Sequence, residues 1–319
     1  MGYYVDDVYC VDIVVPCYNE EAMVMRFYRE AKRVLDGSRR HLPRVSWRFL
    51  FVDDGSTDKT AKILKELAAS ESDVKYISFS RNFGKEAAMY AGFAGSTADF
   101  VAVIDADLQH PPSLLPDMLL ILLSGQYDCA AARRVTRKGE PVIRSWFARA
   151  FYKLMACITK TPPVDGALDF RMMTRQMVDS IVAMHEQDRF SKSLFAWTGY
   201  RTHWFEYENR PRACGTTKWS FWKLCQYALT GIISFSLAPL HLLLIVGVLL
   251  WLAAFGLAVR CLLAEWSGVT ILLTAMLFLS GLIEISLGIV GEYVGRTHMA
   301  VKDRPLYIIR ESNLEDDIA

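Results

Sequence analysis

The sequence predicts an α/β fold: a mostly parallel sheet with helices on both faces. Two observations predict it. Short β-branched runs alternate with stretches of helical period from about residue 10 to 135, and the chemically distinctive residues stand at the ends of those runs. Alternation of this kind builds βαβ units, whose crossover helices cover both faces of the sheet. In such sheets ligands bind beyond the carboxyl ends of the strands.

The runs at 12–15, 49–52, 74–79, 100–104 and 127–131 are the expected strands. Between them, 20–35, 59–69, 85–95 and 113–124 have the spacing of helices. Residues 135–215 are less regular. They read as a helix at 141–157, a loop at 161–168, the triplet Asp169-Phe170-Arg171, a helix near 175–185 and a late strand at 200–207. Apolar residues make up 52% of the chain, and the excess gathers after Phe235. Residues 219–235 mix aromatic with polar side chains, as in a helix lying at a membrane interface. The apolar runs 242–259 and 266–283, the second continuing past Glu284 to Val290, are each long enough for a helix to cross a bilayer, which needs roughly 20 residues. The expected organisation is a main domain at 1–217, an interfacial segment at 218–236, two membrane helices within 237–295 (about 237–259 and 266–290) and a tail at 296–319. Lys218 and Lys223 precede the first span, and Arg296, Lys302 and Arg304 follow the second. That bias predicts a multi-pass protein of the inner membrane with its main domain and tail in the cytosol.

Thirty-six basic against 35 acidic side chains leave a net charge of +1, which argues against a nucleic-acid surface. The seven cysteines show no CxxC spacing and read as free thiols in a reducing compartment. The first ten residues contain no apolar stretch, so no signal peptide is expected.

The most informative motif is Asp105-Ala106-Asp107, where the run 100–104 ends. Carboxylates at i and i+2 on an extended chain point to the same side. Such a pair is unfavourable without a cation between them. A hard divalent ion held by one or two carboxylates, with positions left open, suits a nucleotide diphosphate. The plain alternative is a polar strand end with a solvated turn. Asp53 and Asp54 end the run 49–52, and alternation lets only one of them meet a ligand directly. Ser56 or Thr57 can cap the helix that follows. Asn19 can cap a helix whose positive end suits Glu20, while Tyr18 offers a flat face to a base. Within Arg81-Asn82-Phe83-Gly84-Lys85, either Arg81 or Lys85 can face phosphate or simply solvent, and Arg133 and Arg134 have the same two readings. In the basic loop 210–219, Arg212 and Lys218 can bind phosphates or anchor against anionic lipid. Asp169 either caps a helix or faces an acceptor. Glu284 is either functional or a helix–helix contact. His110 and the cysteines read as structural.

Taken together, VVPCYNE (14–20), FVDDGSTD (51–58), SRNFGKEAAMYAGF (80–93), VIDADLQHPP (103–112), DFRMMTR (169–175) and RPRACGTTKW (210–219) resemble glycosyltransferase family 2, in its polyprenyl-phosphate branch. The resemblance implies a GT-A nucleotide-sugar domain. Pro16, Tyr18, Glu20, Val52, Asp53 and Asp54 then line the donor site. Asp105, Ala106, Asp107 and Gln109 form the metal and diphosphate segment, with Mg2+ or Mn2+ on Asp105 and Asp107. Arg133, Arg212 and Lys218 match donor-phosphate positions. Asp105, Asp107 and Asp169 are the expected catalytic residues, although Val164-Asp165-Gly166 leaves Asp165 as a rival to Asp169.

The implied reaction is inverting transfer of a hexose from a nucleotide sugar to undecaprenyl or another polyprenyl phosphate at the cytosolic membrane face. UDP-glucose is the favoured donor, with UDP-N-acetylglucosamine, GDP-mannose and an aminoarabinose donor as alternatives. A polysaccharide-extending enzyme and an inactive nucleotide-sugar-binding scaffold are the rival readings. A homo-oligomer and a downstream flippase are the protein partners this reading admits.

Overall fold

The computed structural model describes residues 8–134, 164, 166–186, 189–207 and 268–314, with single helical positions between 245 and 256. The chain divides into two units, one of residues 1–225 with 305–319 and one of residues 226–304.

The first unit is organised by one eight-stranded sheet. Its strands are β1 (Tyr9–Cys17), β2 (Val45–Asp53), β3 (Val74–Phe79), β4 (Phe100–Val103), β5 (Cys129–Arg134), β6 (Ala167–Thr174), β7 (Thr202–Tyr207) and β8 (Ile309–Ser312). Their order across the sheet is β7-β5-β6-β4-β1-β2-β3-β8. Pairings β1–β2, β1–β4, β2–β3 and β5–β7 are parallel, while β6 and β8 run against their neighbours. The helices are α1 (Val24–Ser38), α2 (Thr60–Ser70), α3 (Lys85–Ala94), α4 (Leu114–Leu123), α5 (Arg175–Val182) and α6 (Ser191–Trp197).

The period-2 pattern of the strands makes two cores. Val11, Ile13 and Val15 of β1, Phe49 and Phe51 of β2, and Phe100 and Ala102 of β4 pack with Phe27 of α1, Leu64 of α2 and Leu115 of α4. The alternate residues Val14, Leu50, Val52, Val101 and Val103 face the other way, against Ala88 and Ala91 of α3 and Met177 and Ile181 of α5. Both faces are therefore dry, which is why these strands read as nearly continuous apolar runs. α3 lies especially close to β1: a Cβ on Gly92 would stand 2.2 Å from Val14 Cγ1.

The chain lays down β1, β2 and β3 on one side, then crosses to place β4 on the other side of β1. The strand order reverses there, and the crevice outside the strand ends opens at that switch point. Three elements were not expected. β6 takes the last two residues of the expected loop, the triplet Asp169-Phe170-Arg171 and the three residues after it, α6 is a short helix, and the tail contributes β8 to the edge of β3.

The second unit contains α7 (Gly268–Val301), which overlaps the second expected span and carries Glu292, Arg296 and His298 in its last three turns. Among the described residues no helix is long and apolar enough to cross a membrane. The expected multi-pass inner-membrane location is corrected accordingly, and the expected two-helix transmembrane hairpin is not found among the described residues. The expected interfacial segment, the first span over most of its length and the helix at 141–157 lie outside the described residues.

Candidate active site

Two loops at the carboxyl ends of β1 and β2 are stapled together. Asn19, with φ +53, donates its N–H to Ser56 Oγ at 2.9 Å, and its Oδ1 accepts from Thr57 N–H at 2.8 Å. Neither Ser56 nor Asn19 caps a helix, because α1 begins at Val24 and α2 at Thr60. Asp58 takes that part for α2, its Oδ1 accepting from Thr60 N–H and Oγ1 at 2.9 and 2.6 Å. Glu20 N–H donates to Thr60 Oγ1 at 2.9 Å. Pro16 lies opposite Val52 in the β1–β2 register, at the mouth of the switch-point crevice, and Val52 is itself buried in the core. Tyr18 and Glu20 are partly exposed in the turn that follows β1.

Asp53 and Asp54 do face different partners. Asp53 Oδ1 accepts from Ser56 N–H at 3.1 Å and Oδ2 from Ser78 Oγ at 2.7 Å, tying the loop to β3. Asp54 Oδ1 accepts from Phe83 N–H at 2.7 Å, and its Oδ2 from Gly84 N–H at 3.0 Å. Gly84 has φ +98, a conformation other residues adopt only under strain, and the next residue opens α3. Burial lifts the Asp54 carboxyl to about 6, against the backbone donors, which pull it down.

That anchored turn delivers Lys85 to the centre of the site. Its Nζ lies 2.7 Å from Asp105 Oδ1, 2.9 Å from Asp105 Oδ2 and 2.7 Å from Asp169 Oδ2. Burial pulls the Lys85 ammonium down, but Asp105 and Asp169 outweigh it and hold it above the usual lysine range. For Asp169 burial acts upward, and Lys85 followed by Lys192 overrides it, leaving the carboxyl well below the usual range. Asp107 Oδ1 accepts from Gln109 N–H at 3.0 Å across a turn in which Leu108 takes φ +56. Ala106 between the two acids is buried. His110, buried and stacked on Phe170 with ring centroids 5.7 Å apart, brings Nε2 to 3.9 Å from Asp105 Oδ2. Burial pushes its imidazole down, against the pull of Asp105 and Asp107.

The structure thus brings together Asp105 and Asp169 through Lys85, with Asp107 and Gln109 on the turn after Asp105. Arg133 stands apart on β5, opposite Ala167 and 3.9 Å from Glu206 Oε1. Arg212, Lys218 and Asp165 lie outside the described residues, as does the side chain of Glu284. Lys85 and His110 are the members that sequence reasoning missed in these roles. The available signal was a basic residue at a helix start after a strand, and a histidine three residues beyond the second acid.

Asp105 and Asp107 suit a divalent ion of the Mg2+ or Mn2+ kind, which takes one or two carboxylates and completes its shell with water and phosphate. A cation already stands at Asp105, the Lys85 ammonium at 2.7 Å from Oδ1. Among the described residues no group of three or more His, Cys, Asp or Glu forms a closed cage, and an ion shared with a diphosphate needs none. Covalent chemistry by Cys17 is disfavoured, because burial pushes its thiol well up.

Residues 12–182 match the family described as glycosyl transferase family 2. Relatives of similar length extend the likeness over nearly the whole chain. An uncharacterised glycosyltransferase of Synechocystis is 39% identical over 94% of this chain and 95% of its own length. The prophage bactoprenol glucosyl transferase homolog of Escherichia coli K12 is 36% identical over 94% and 98%. The bactoprenol glucosyl transferase of Shigella phage SfII is 34% identical over 95% and 98%. Among solved structures, glucosyl-3-phosphoglycerate synthase of Mycobacterium tuberculosis is 20% identical over 72% of this chain and 81% of its own, with a TM-score of 0.43. That likeness is too distant to carry any assignment of ligand or residue.

Proposed function

This chain belongs to glycosyl transferase family 2 and is a glycosyltransferase with a GT-A-like α/β domain, and from that premise we propose that it transfers a hexose from a nucleotide sugar to a polyprenyl phosphate. The observation that carries the proposal is the placement of Asp105 and Asp107 at the end of β4, beside the switch point, with Asp169 facing Asp105. The relatives named as bactoprenol glucosyl transferases, at 34–36% identity over nearly their full length, support the lipid acceptor and favour glucose as the sugar. UDP-glucose is therefore the proposed donor, ahead of UDP-N-acetylglucosamine, GDP-mannose and an aminoarabinose donor.

Mg2+ or Mn2+ held by Asp105 and Asp107 would supply neutralisation of the departing diphosphate. Pro16, Tyr18, Glu20 and the loop anchored by Asp53 and Asp54 would hold the nucleoside, and Arg133, Arg212 and Lys218 would face donor phosphate. The acceptor arrives already charged, since a phosphate monoester has its second pKa near about 6. Its oxygen can attack the anomeric carbon opposite the leaving diphosphate without a strong base, inverting that centre. The Asp169 carboxyl, held low by Lys85 despite burial, fits this chemistry: it is a weak proton acceptor and a good fixed charge for orientation.

The test is direct. Purified protein is incubated with a panel of radiolabelled UDP- and GDP-sugars and detergent-dispersed undecaprenyl phosphate. UDP-glucose should give a lipid-linked product in an EDTA-sensitive reaction. Asp107→Ala should lower the rate by roughly 100-fold or more while the protein stays folded. A variant that keeps the wild-type rate would refute the metal assignment. Absence of transfer from every sugar would instead favour a nucleotide-sugar-binding scaffold.

A further inference from the structure

The ammonium of Lys85 has three N–H groups and three carboxylate oxygens within 2.9 Å. We propose that Lys85 is a positioning residue that acts as the resident counter-ion of Asp105 and Asp169, and that it competes with the donor's divalent cation for Asp105 while retaining Asp169. The inference rests on the proposed role of Asp105 and Asp107 in holding that cation.

Three features make this more than a chance surface contact. The strand register demands a cation here. Phe100 pairs with Thr174 and Val103 with Arg171 across antiparallel β4 and β6. Asp105 and Asp169 lie two residues beyond that last pair on their own segments, close enough for both to reach the Lys85 ammonium. Like charges directly opposed on neighbouring strands are destabilising. The root of Lys85 is also fixed, because the two residues before it donate their backbone N–H groups to Asp54. Finally, the two acids differ in what else they can bind. Asp105 has Asp107 two residues away as a second ligand for a divalent ion. Asp169 has Lys192 and Arg171 as further positive neighbours instead. A divalent ion therefore prefers Asp105, and an ammonium displaced from Asp105 keeps a strong partner in Asp169. Lys85 then screens donor-free protein from indiscriminate metal loading and keeps Asp169 aimed and ionised once the donor is in place.

Mn2+ binding to the whole protein, without nucleotide or lipid, tests this through the electron paramagnetic resonance signal of free Mn2+. Lys85→Met, which keeps the stem and removes the charge, should bind Mn2+ at least about 10-fold more tightly than wild type. Lys85→Arg, which keeps a cation, should bind no more tightly than wild type. A purely structural lysine would leave affinity unchanged or lower it in both variants. Equal affinity in Lys85→Met and wild type, or no binding by either, overturns the proposal. Should Lys85→Met and Lys85→Gln both fail to fold, recovery of circular dichroism on adding Mn2+ supports the counter-ion role and lack of recovery overturns it. The proposed reaction is judged separately, by EDTA-sensitive transfer in the wild type.

Discussion

Asp54 is buried, yet its carboxylate holds two backbone N–H groups that set the turn into α3. An acid whose folded value lies above its ordinary 3.8, here about 6, binds its proton more tightly in the fold than in the unfolded chain. Its contribution to stability is therefore greatest below about pH 4 and falls as the pH climbs through 6. Against Asp54→Asn, which cannot titrate, the wild type should lose roughly 2 kcal/mol between pH 4 and 7. Urea unfolding of both proteins at four pH values measures this, and parallel curves would disprove it. Asp12 poses the opposite problem, a carboxylate 1% exposed. Arg48 Nε and Nη2 reach it at 2.7 Å each, and Ser96 Oγ at 2.6 Å. Asp12→Ala removes both of these bonds to the guanidinium and should cost about 3 kcal/mol. Asp12→Ala with Arg48→Met should recover part of that, and a single-variant loss under about 1 kcal/mol would show the pair to be dispensable.

At the scale of elements, the contact of α3 with β1 is set by one missing methyl. Gly92→Ala would drive Cβ into Val14, at 2.2 Å from Cγ1 and 2.9 Å from Cγ2, and should cost about 1–3 kcal/mol. Adding Val14→Ala opens the space, so the double variant should be less impaired than the sum of the singles. Strict additivity in thermal unfolding would place the clash elsewhere. The strands that carry this contact were legible because both their faces are apolar. 74–79 is found as Val74–Phe79, and 49–52 grows to Val45–Asp53. β6 was not legible, because Asp169 and Arg171 interrupt its apolar residues and imitate a loop. The arginine earns its burial only in the fold, with its guanidinium 3.6 Å from the centre of the Phe195 ring and Nη2 donating to Leu168 O at 2.8 Å. The site divides in the same way. Asp54, Asp105 and Asp107 announce themselves by ending apolar runs, whereas the bridge from Lys85 to Asp169 joins residues 84 positions apart and exists only in three dimensions.

At the scale of the whole molecule, β8 returns the end of the chain to the first unit. Ser80 N–H donates to Ile308 O at 2.9 Å, Tyr76 N–H to Asn313 Oδ1 at 2.7 Å, and Lys65 pairs with Glu311 at 2.9 Å. Tyr307 stacks on Phe79 with ring centroids 4.9 Å apart. Such a strand hides from sequence reading because its inner and outer residues are half-buried at most and Arg310 and Glu311 make it look solvated. Deleting 305–319 should leave the β3 edge unpaired, lower the melting temperature and promote concentration-dependent aggregation. Light scattering and calorimetry of the truncated protein would check this, and an unchanged, monodisperse variant would show β8 to be ornamental.

The same closure imposes an order on synthesis. Phe79 and its pairing partner Ile309 are 230 residues apart. At about 5–20 residues per second, a ribosome needs about 10–50 s to cover that distance. Throughout that interval the β3 edge of the nascent sheet stays open, and the residue that seals Phe79 has yet to be polymerised. Completion of the catalytic unit is thus a late event in the life of each new chain, timed by translation.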